Sequence, residues 1–158
     1  MTSRHGKRDM SMTNKKLREL QNLIIDMDGV LYRGSQTIPG TECFMAFLRE
    51  RGIDFVLATN NSTRTPQQYV ERLASLGVAV KAEEVLTSAQ ATADYMASIA
   101  PPGTRVFVVG QDGLYAALRD VGFTVVEEDA EYVVAGMDNT ICYERLAQAT
   151  LMIRAGAG

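Results

Sequence analysis

Two short clusters of polar residues in this chain have the types and the spacing needed for chemistry on a phosphate group. Asp26, Asp28 and Gly29 come directly after a compact apolar run, and Thr59 ends a second apolar run, followed by two asparagines. Such carboxylates, hydroxyls and amides suit phosphate oxygens and hard divalent cations, and a glycine lets the backbone approach closely. Because the carboxyl ends of neighbouring parallel strands share one edge of a sheet, we expect both clusters to lie together.

The residue types suggest a role for each group at such a site. Asp26 would act as the nucleophile, because a carboxylate can attack phosphorus and form an aspartyl-phosphate. Asp28 would protonate the leaving oxygen and later activate water. Thr59, Asn60 and Asn61 would hold the transferring phosphoryl oxygens, with Gly29 beside them in the phosphate-binding set. Bound Mg²⁺ would offset the repulsion between the nucleophile and the phosphate.

The histidine and cysteine content excludes several other kinds of site. The only histidine, His5, lies near the amino terminus, so a Ser-His-Asp triad, a Cys-His pair and a histidine-bearing zinc site are all excluded from the rest of the chain. Cys43 and Cys142 stand far apart, and no Cys-x-x-Cys occurs. We therefore expect two free, buried thiols and a cytoplasmic protein rather than a disulfide framework.

The charge distribution divides the chain into a basic leader and an acidic body. Residues 1–18 hold six basic residues and one acidic residue, which predicts a disordered leader. The remaining residues hold ten basic and eighteen acidic side chains, which argues against a nucleic-acid partner. No apolar run reaches the length of a membrane span, so no membrane partner is expected either.

Short apolar runs alternate with helical periods, which predicts an α/β fold with a parallel sheet. Residues 23–25 and 53–58 are the two clear strands of a first unit. Thr41 is the predicted N-cap of the helix between them, with Phe44, Phe47 and Leu48 facing the core, and Thr65 is the predicted cap of the next helix.

A second α/β round begins after Pro101-Pro102-Gly103, which we take as a domain boundary. We therefore expect the domains to be residues 19–100 and 101–158. The second round is predicted to contain strands 105–109, 123–126 and 132–135 and helices 113–121 and 143–154. The sequence stops after a helix, where another strand usually follows, and the first unit has few strands. We therefore expect a C-terminally truncated chain.

Several motifs resemble those of haloacid dehalogenase-like hydrolases, and within that superfamily subfamily IIA, the 4-nitrophenylphosphatase or NagD-like branch. The first motif runs from Leu23 to Tyr32 and continues through Gly34 and Ile38-Pro39-Gly40. The segment that resembles the family's second motif is Ala58-Thr59-Asn60-Asn61-Ser62. Further matching segments are Leu86-Thr87-Ser88-Ala89, Gly110-Gln111-Asp112-Gly113-Leu114, Gly136-Met137-Asp138 and Tyr143-Glu144-Arg145-Leu146.

The resemblance implies a Rossmann-like parallel-sheet core, present only in its N-terminal part, with an inserted and incomplete α/β cap of the C2 type. It implies hydrolysis of a small phosphorylated metabolite, such as a nucleotide, phosphoglycolate, or a sugar or vitamin phosphate. Asp26, through its carboxylate, and Asp28, through its main-chain carbonyl, would be Mg²⁺ ligands. The family's later lysine and acidic motif have no counterpart, since the last lysine is Lys81.

Four hypotheses follow. The parent protein is a Mg²⁺-dependent phosphomonoesterase, or the chain is a catalytically incompetent fragment that serves as an interaction module, with a homo-oligomer formed through the cap. A dinucleotide-binding module is disfavoured, because neither Gly-x-Gly-x-x-Gly nor a Gly-Lys-Ser/Thr loop occurs. A phospho-accepting receiver domain is disfavoured by the cap-like second half.

Overall fold

The computed structural model describes residues 19–158 as two three-stranded parallel sheets with helices packed against them. The predicted leader, residues 1–18, lies outside the described residues. The strands of the first sheet stand in the order β1-β4-β5, and those of the second in the order β7-β6-β8. A short antiparallel hairpin is formed by β2 and β3. The strands are β1 (Asn22–Asp26), β2 (Tyr32–Arg33), β3 (Gln36–Thr37), β4 (Asp54–Thr59), β5 (Val85–Thr87), β6 (Arg105–Val109), β7 (Thr124–Val125) and β8 (Tyr132–Ala135).

Five α-helices and one 3₁₀ turn connect these strands within residues 19–158. The helices are α1 (Thr41–Glu50), α2 (Pro66–Ser75), α3 (Ser88–Ile99), α4 (Asp112–Asp120) and α5 (Tyr143–Arg154), and the 3₁₀ turn is Ala82–Glu84. The α/β class with parallel sheets is confirmed. None of the helices in this part of the chain has both the length and the apolar character needed to cross a bilayer.

The first sheet has one strand more than the two that were predicted. The additional strand, β5, pairs in parallel with the second half of β4, so that Thr87 lies beside Thr59. Only Val85 and Leu86 of this segment are apolar, which is too short a run to indicate a strand, and pairing with β4 is what makes it one. The prediction of only two strands in the first unit was therefore wrong.

The helix α1 begins differently from the prediction and buries a different face. Gly40, not Thr41, is the N-cap, with a left-handed backbone (φ 92°). The hydroxyl of Thr41 instead donates to Leu31 O at 2.9 Å. The helix buries Met45 and Leu48, whereas the side chains expected beside Leu48, those of Phe44 and Phe47, are exposed.

The start of α2 agrees with the prediction. Thr65 is the N-cap and Pro66 the first helical residue. The Thr65 hydroxyl accepts from Gln68 N at 3.2 Å, and Gln68 Oε1 accepts from Thr65 N at 2.8 Å. This capping box satisfies two backbone donors that the helix itself leaves without partners.

We expect Thr65→Ala to lower the free energy of unfolding by about 1 kcal/mol, because the cap then loses its acceptor. Urea unfolding followed by circular dichroism measures the change. Gln67→Ala is the matched control, since Gln67 is exposed in the same helix. An equal loss in both variants would contradict this role of the cap.

The helix α3 packs with the second unit. Its buried side chains, Ala89, Ala93 and Met96, belong to the same apolar cluster as Val106 and Leu118. The division at residue 100 stays a prediction, and this packing favours a boundary before Ser88 instead. The two cysteines are free, as expected, but both are exposed rather than buried.

Within residues 19–158, helices cover one face of the first sheet and leave the other face open. Ile25, Leu57 and Val85 pack in one cluster with α1 and α2. On the opposite face Ile24 is 82% exposed and Leu86 is 41% exposed. Parallel sheets usually bury both faces, so this open apolar face is the unusual feature of the unit, and it adjoins the candidate site.

Candidate active site

The carboxyl edge of the first sheet collects the predicted polar residues. Asp26 is the last residue of β1 and Thr59 is the last residue of β4. The two strands are parallel neighbours, and their register sets Asp26 beside Ala58, one residue before Thr59. The structure therefore brings the two clusters to one edge, as their positions at strand ends predict. The catalytic roles of these residues stay predictions.

Asp26 has an exposed carboxylate on a well-anchored backbone. Its Oδ1 accepts a hydrogen bond from Met27 N at 2.8 Å. Met27 is fully buried, and its carbonyl accepts from Leu31 N at 2.9 Å. The turn that carries the carboxylate is thus fixed by core packing. One carboxylate oxygen is oriented by the Met27 amide, and the second points to no hydrogen-bond donor within residues 19–158.

The turn after Asp26 depends on Gly29. This residue has φ +84°, a left-handed conformation that side chains with a Cβ disfavour. Its N–H donates to Tyr32 O at 2.7 Å, so this amide is already used inside the turn. What Gly29 can offer a phosphate is therefore an approach unobstructed by a side chain, and its place in the phosphate-binding set stays a prediction.

Asp28 is exposed and stands close to a buried tyrosine. The phenol oxygen of Tyr32 lies 3.4 Å from Asp28 Oδ2, and the guanidinium of Arg72 stacks over the Tyr32 ring at 4.8 Å. Burial and the charge of Asp28 both raise the pKa of Tyr32. The phenol therefore stays protonated at neutral pH and can donate to the Asp28 carboxylate.

The segment after β4 is held in shape by its own hydrogen bonds. The Thr59 hydroxyl accepts from Asn61 N at 3.1 Å, and Asn61 Oδ1 accepts from Thr63 N at 2.9 Å. The carbonyl of Asn61 accepts from the phenol of Tyr69 at 3.3 Å. Burial raises the pKa of Tyr69, so this donor also keeps its proton. The Asn60 side chain is exposed and free to meet a ligand.

Two residues at the end of β5 belong to this edge and were given no role from sequence. Thr87 pairs in register with Thr59, and the Ser88 hydroxyl donates to Asn60 O at 2.9 Å. The signal that could have found them is the segment Leu86-Thr87-Ser88-Ala89, had it been assigned to a third parallel strand. Its hydroxyls then fall at the same edge as Thr59.

A groove of about 580 Å³ runs along the open face of the sheet to this edge. Apolar side chains line one part of it, and polar side chains line the other. Its volume falls in the range of small-molecule sites. The lining residues include Ile24, Ala58, Asp26, Thr59, Asn60 and Ser88.

The donor set at this edge fits Mg²⁺. The ion takes oxygen ligands and is usually held by one or two carboxylates together with substrate phosphate and water. In the expected arrangement Asp26 supplies one carboxylate and Asp28 supplies its main-chain carbonyl oxygen, which leaves the Asp28 carboxylate for proton transfer. Within residues 19–158 no group of three or more His, Cys, Asp or Glu side chains is arranged to hold a metal ion. Lys81 stands at the amino end of β5, beside Glu83, and so lies away from this edge.

Comparison with known proteins gives a consistent result. A family model described as haloacid dehalogenase-like hydrolase matches residues 23–124. An acid sugar phosphatase of Staphylococcus aureus is 42% identical over 142 residues, which are 89% of this chain and 54% of that protein. The expected resemblance to phosphatases of this superfamily is thereby confirmed.

Solved structures of related proteins agree. The 4-nitrophenylphosphatase of Thermotoga maritima is 35% identical with a TM-score of 0.83, over 89% of this chain and 54% of its own. A glycerol phosphate phosphatase of Mycobacterium tuberculosis in complex with magnesium is 34% identical with a TM-score of 0.82, over 88% of this chain and 42% of its own. The chain thus spans about half the length of the relatives it matches.

Proposed function

Since the chain belongs to the haloacid dehalogenase-like hydrolase family, we propose that it carries the nucleophile-bearing part of a Mg²⁺-dependent phosphomonoesterase. The observation that carries this proposal is the meeting of Asp26 and Thr59 at the ends of two neighbouring parallel strands. The exposed Asp26 carboxylate then lies at the same edge of the sheet as the Thr59 hydroxyl and the amides of the two asparagines that follow it.

Asp26 is the proposed nucleophile. Its free carboxylate oxygen attacks phosphorus, an acyl-phosphate bond forms, and the bond from phosphorus to the substrate oxygen breaks. The hydrogen bond from Met27 N at 2.8 Å orients the other carboxylate oxygen. Asp28 donates a proton to the departing substrate oxygen and later takes one from the water that hydrolyses the aspartyl-phosphate.

The Thr59–Asn61 segment binds the phosphoryl oxygens in this proposal. The Thr59 hydroxyl accepts from the Asn61 amide and lies beside the phenol of Tyr69. In this proposal it turns its proton towards a phosphoryl oxygen when the substrate binds. The exposed Asn60 amide adds a second donor. Positioning and electrostatic stabilisation of this kind supply most of the catalysis in phosphoryl transfer.

Mg²⁺ would be held by the Asp26 carboxylate and the Asp28 main-chain carbonyl. When bound, it neutralises charge between the Asp26 carboxylate and the phosphate dianion. The relatives are named as phosphatases of sugar phosphates, glycerol phosphate and 4-nitrophenyl phosphate. These names support a small phosphorylated substrate. The proposed class is a sugar or vitamin phosphate, phosphoglycolate or a nucleotide.

A second candidate function is a non-catalytic interaction module that forms a homo-oligomer through residues 101–158. It is supported by an exposed apolar stripe on α5, formed by Tyr143, Leu146 and Ile153. The spacing of these residues sets them on one side of a helix.

Hydrolysis of 4-nitrophenyl phosphate by the purified chain separates the two candidates. We expect release of 4-nitrophenolate that stops when EDTA removes the ion, because the charge at Asp26 is then no longer neutralised. Excess Mg²⁺ should restore the release. Turnover that is unaffected by EDTA would refute the Mg²⁺-dependent mechanism. Absence of turnover, together with a dimer in sedimentation, would favour the interaction module.

A further inference from the structure

The segment that follows Asn61 contacts the carboxyl edge of the second sheet. Ser62 is buried, and its Oγ accepts a hydrogen bond from Met137 N at 2.9 Å. The next carbonyl, that of Thr63, accepts from Gly113 N at 3.1 Å. Met137 follows β8, and Gly113 lies in the first turn of α4. The chain directly after the proposed phosphate-binding segment is thus bonded to two separate elements of the second unit.

Only glycine fits at the two points of closest approach. A Cβ on Gly136 would stand 2.5 Å from Ser62 Oγ, and a Cβ on Gly113 would stand 2.4 Å from Arg64 O. Both distances are shorter than real Cβ contacts, and the second involves backbone that cannot move aside. The two units therefore meet closely at this seam, which we define as Ser62–Arg64 with Gly113 and Gly136. At Gly113 backbone faces backbone, and at Gly136 backbone faces the Ser62 side chain.

The seam adjoins the site through a single peptide bond. Asn61 donates from its N–H to Thr59 Oγ1 and accepts at its carbonyl from Tyr69. Ser62 is the next residue, so its position sets the orientation of the Asn61–Ser62 peptide bond and hence of the Asn61 carbonyl. Within residues 19–158 the buried Ser62 hydroxyl has one hydrogen-bond partner, the Met137 amide. We therefore look for its role in this contact.

We propose that Ser62 is a positioning residue that fixes the Thr59–Asn61 segment by tying it to the loop after β8. The expected loss of phosphate affinity rests on the proposed function. The expected ordering of the Thr59–Asn61 segment by Ser62 does not depend on it. The second unit thereby contributes to the phosphate-binding geometry without itself contacting the phosphate.

The test measures amide hydrogen exchange by NMR and inorganic phosphate affinity in the presence of Mg²⁺, in the full chain. For Ser62→Ala we expect the Asn61 amide to exchange about ten- to a hundredfold faster, because the hydrogen bond that ties this segment to the Met137 amide is lost. Phosphate affinity falls with it. Ser75→Ala is the matched control, since the Ser75 hydroxyl bonds within α2 and is exposed.

A second variant keeps the hydroxyl and displaces the loop. Gly136→Ala is expected to reproduce the faster Asn61 exchange, because the added methyl meets Ser62 Oγ. In a Ser62→Ala background its effect should shrink, since the opposing oxygen is gone. Strictly additive effects of the two changes would overturn the proposal.

The remaining outcomes are also decisive. If Ser62→Ala alters exchange only at Met137 and leaves Asn61 exchange and phosphate affinity unchanged, then Ser62 makes a local bond and positions nothing. If Ser62→Ala does not fold, Gly136→Ala decides: Asn61 exchange faster than in Ser75→Ala supports the proposal, and exchange equal to that control overturns it. If the unaltered chain binds no phosphate, the proposed function fails, while the Asn61 exchange rate still decides the role of Ser62.

Discussion

Replacing Asp26 by asparagine is expected to abolish phosphoryl transfer. An amide oxygen is a much weaker nucleophile than a carboxylate, and the aspartyl-phosphate can no longer form. Loss of a covalent nucleophile in other enzymes lowers kcat by about 10⁶-fold, which brings turnover to the background rate. The measurement is 4-nitrophenolate release, together with detection of the phosphorylated chain by mass spectrometry after acid quench.

The matched control for this change is Asp54→Asn. Asp54 begins β4 at the opposite end of the same sheet and is exposed, so the same loss of charge there should leave turnover unchanged. The carboxylate of Asp26 is exposed, and within residues 19–158 it accepts one hydrogen bond, from Met27 N, which an asparagine oxygen can also accept. Asp26→Asn is therefore expected to fold normally. A variant that still turns over or becomes phosphorylated would exclude Asp26 as the nucleophile.

Gly113→Ala is expected to destabilise the protein, although a glycine-to-alanine substitution in a helix usually raises the free energy of unfolding. Alanine is favoured over glycine in helix interiors by about 1 kcal/mol. Here the new methyl would lie 2.4 Å from Arg64 O and 2.6 Å from Ser62 O, both backbone atoms. Overpacking of this kind costs about 1–3 kcal/mol, and the hydrogen bond from Gly113 N to Thr63 O is strained as well.

The control for this prediction is Gly110→Ala. Its added methyl would meet the Leu114 side chain at 2.9 Å, and a side chain can turn away where backbone cannot. We expect urea unfolding midpoints to fall clearly for Gly113→Ala and by less for Gly110→Ala. A gain in stability for Gly113→Ala would show that the two units do not meet at the seam as closely as described.

The candidate site could be predicted largely because its parts lie at the ends of long local patterns. The apolar runs before Asp26 and Thr59 are long enough to be recognised as strands, and parallel pairing then sets both residues at one edge. The capping box at Thr65 was predictable for the same reason, since all its partners lie within one helical turn.

The features that were missed depend on residues distant in sequence. Thr41 resembles an N-cap, but its hydroxyl reaches Leu31, ten positions earlier. The spacing of Phe44 and Phe47 is compatible with a buried face, and only the position of α1 against the sheet decides that Met45 and Leu48 are buried instead. The strand β5 exists because β4 offers it an edge.

Contiguous residues account for the α/β class, for the positions of Asp26 and Thr59 at strand ends and for the resemblance to a phosphatase family. Long-range packing accounts for three further features: Thr87 and Ser88 join this edge, one face of the first sheet is open, and Ser62 meets Gly136 at the seam. These depend on contacts between segments far apart in the chain, and no local pattern of residue types encodes how close two such segments come.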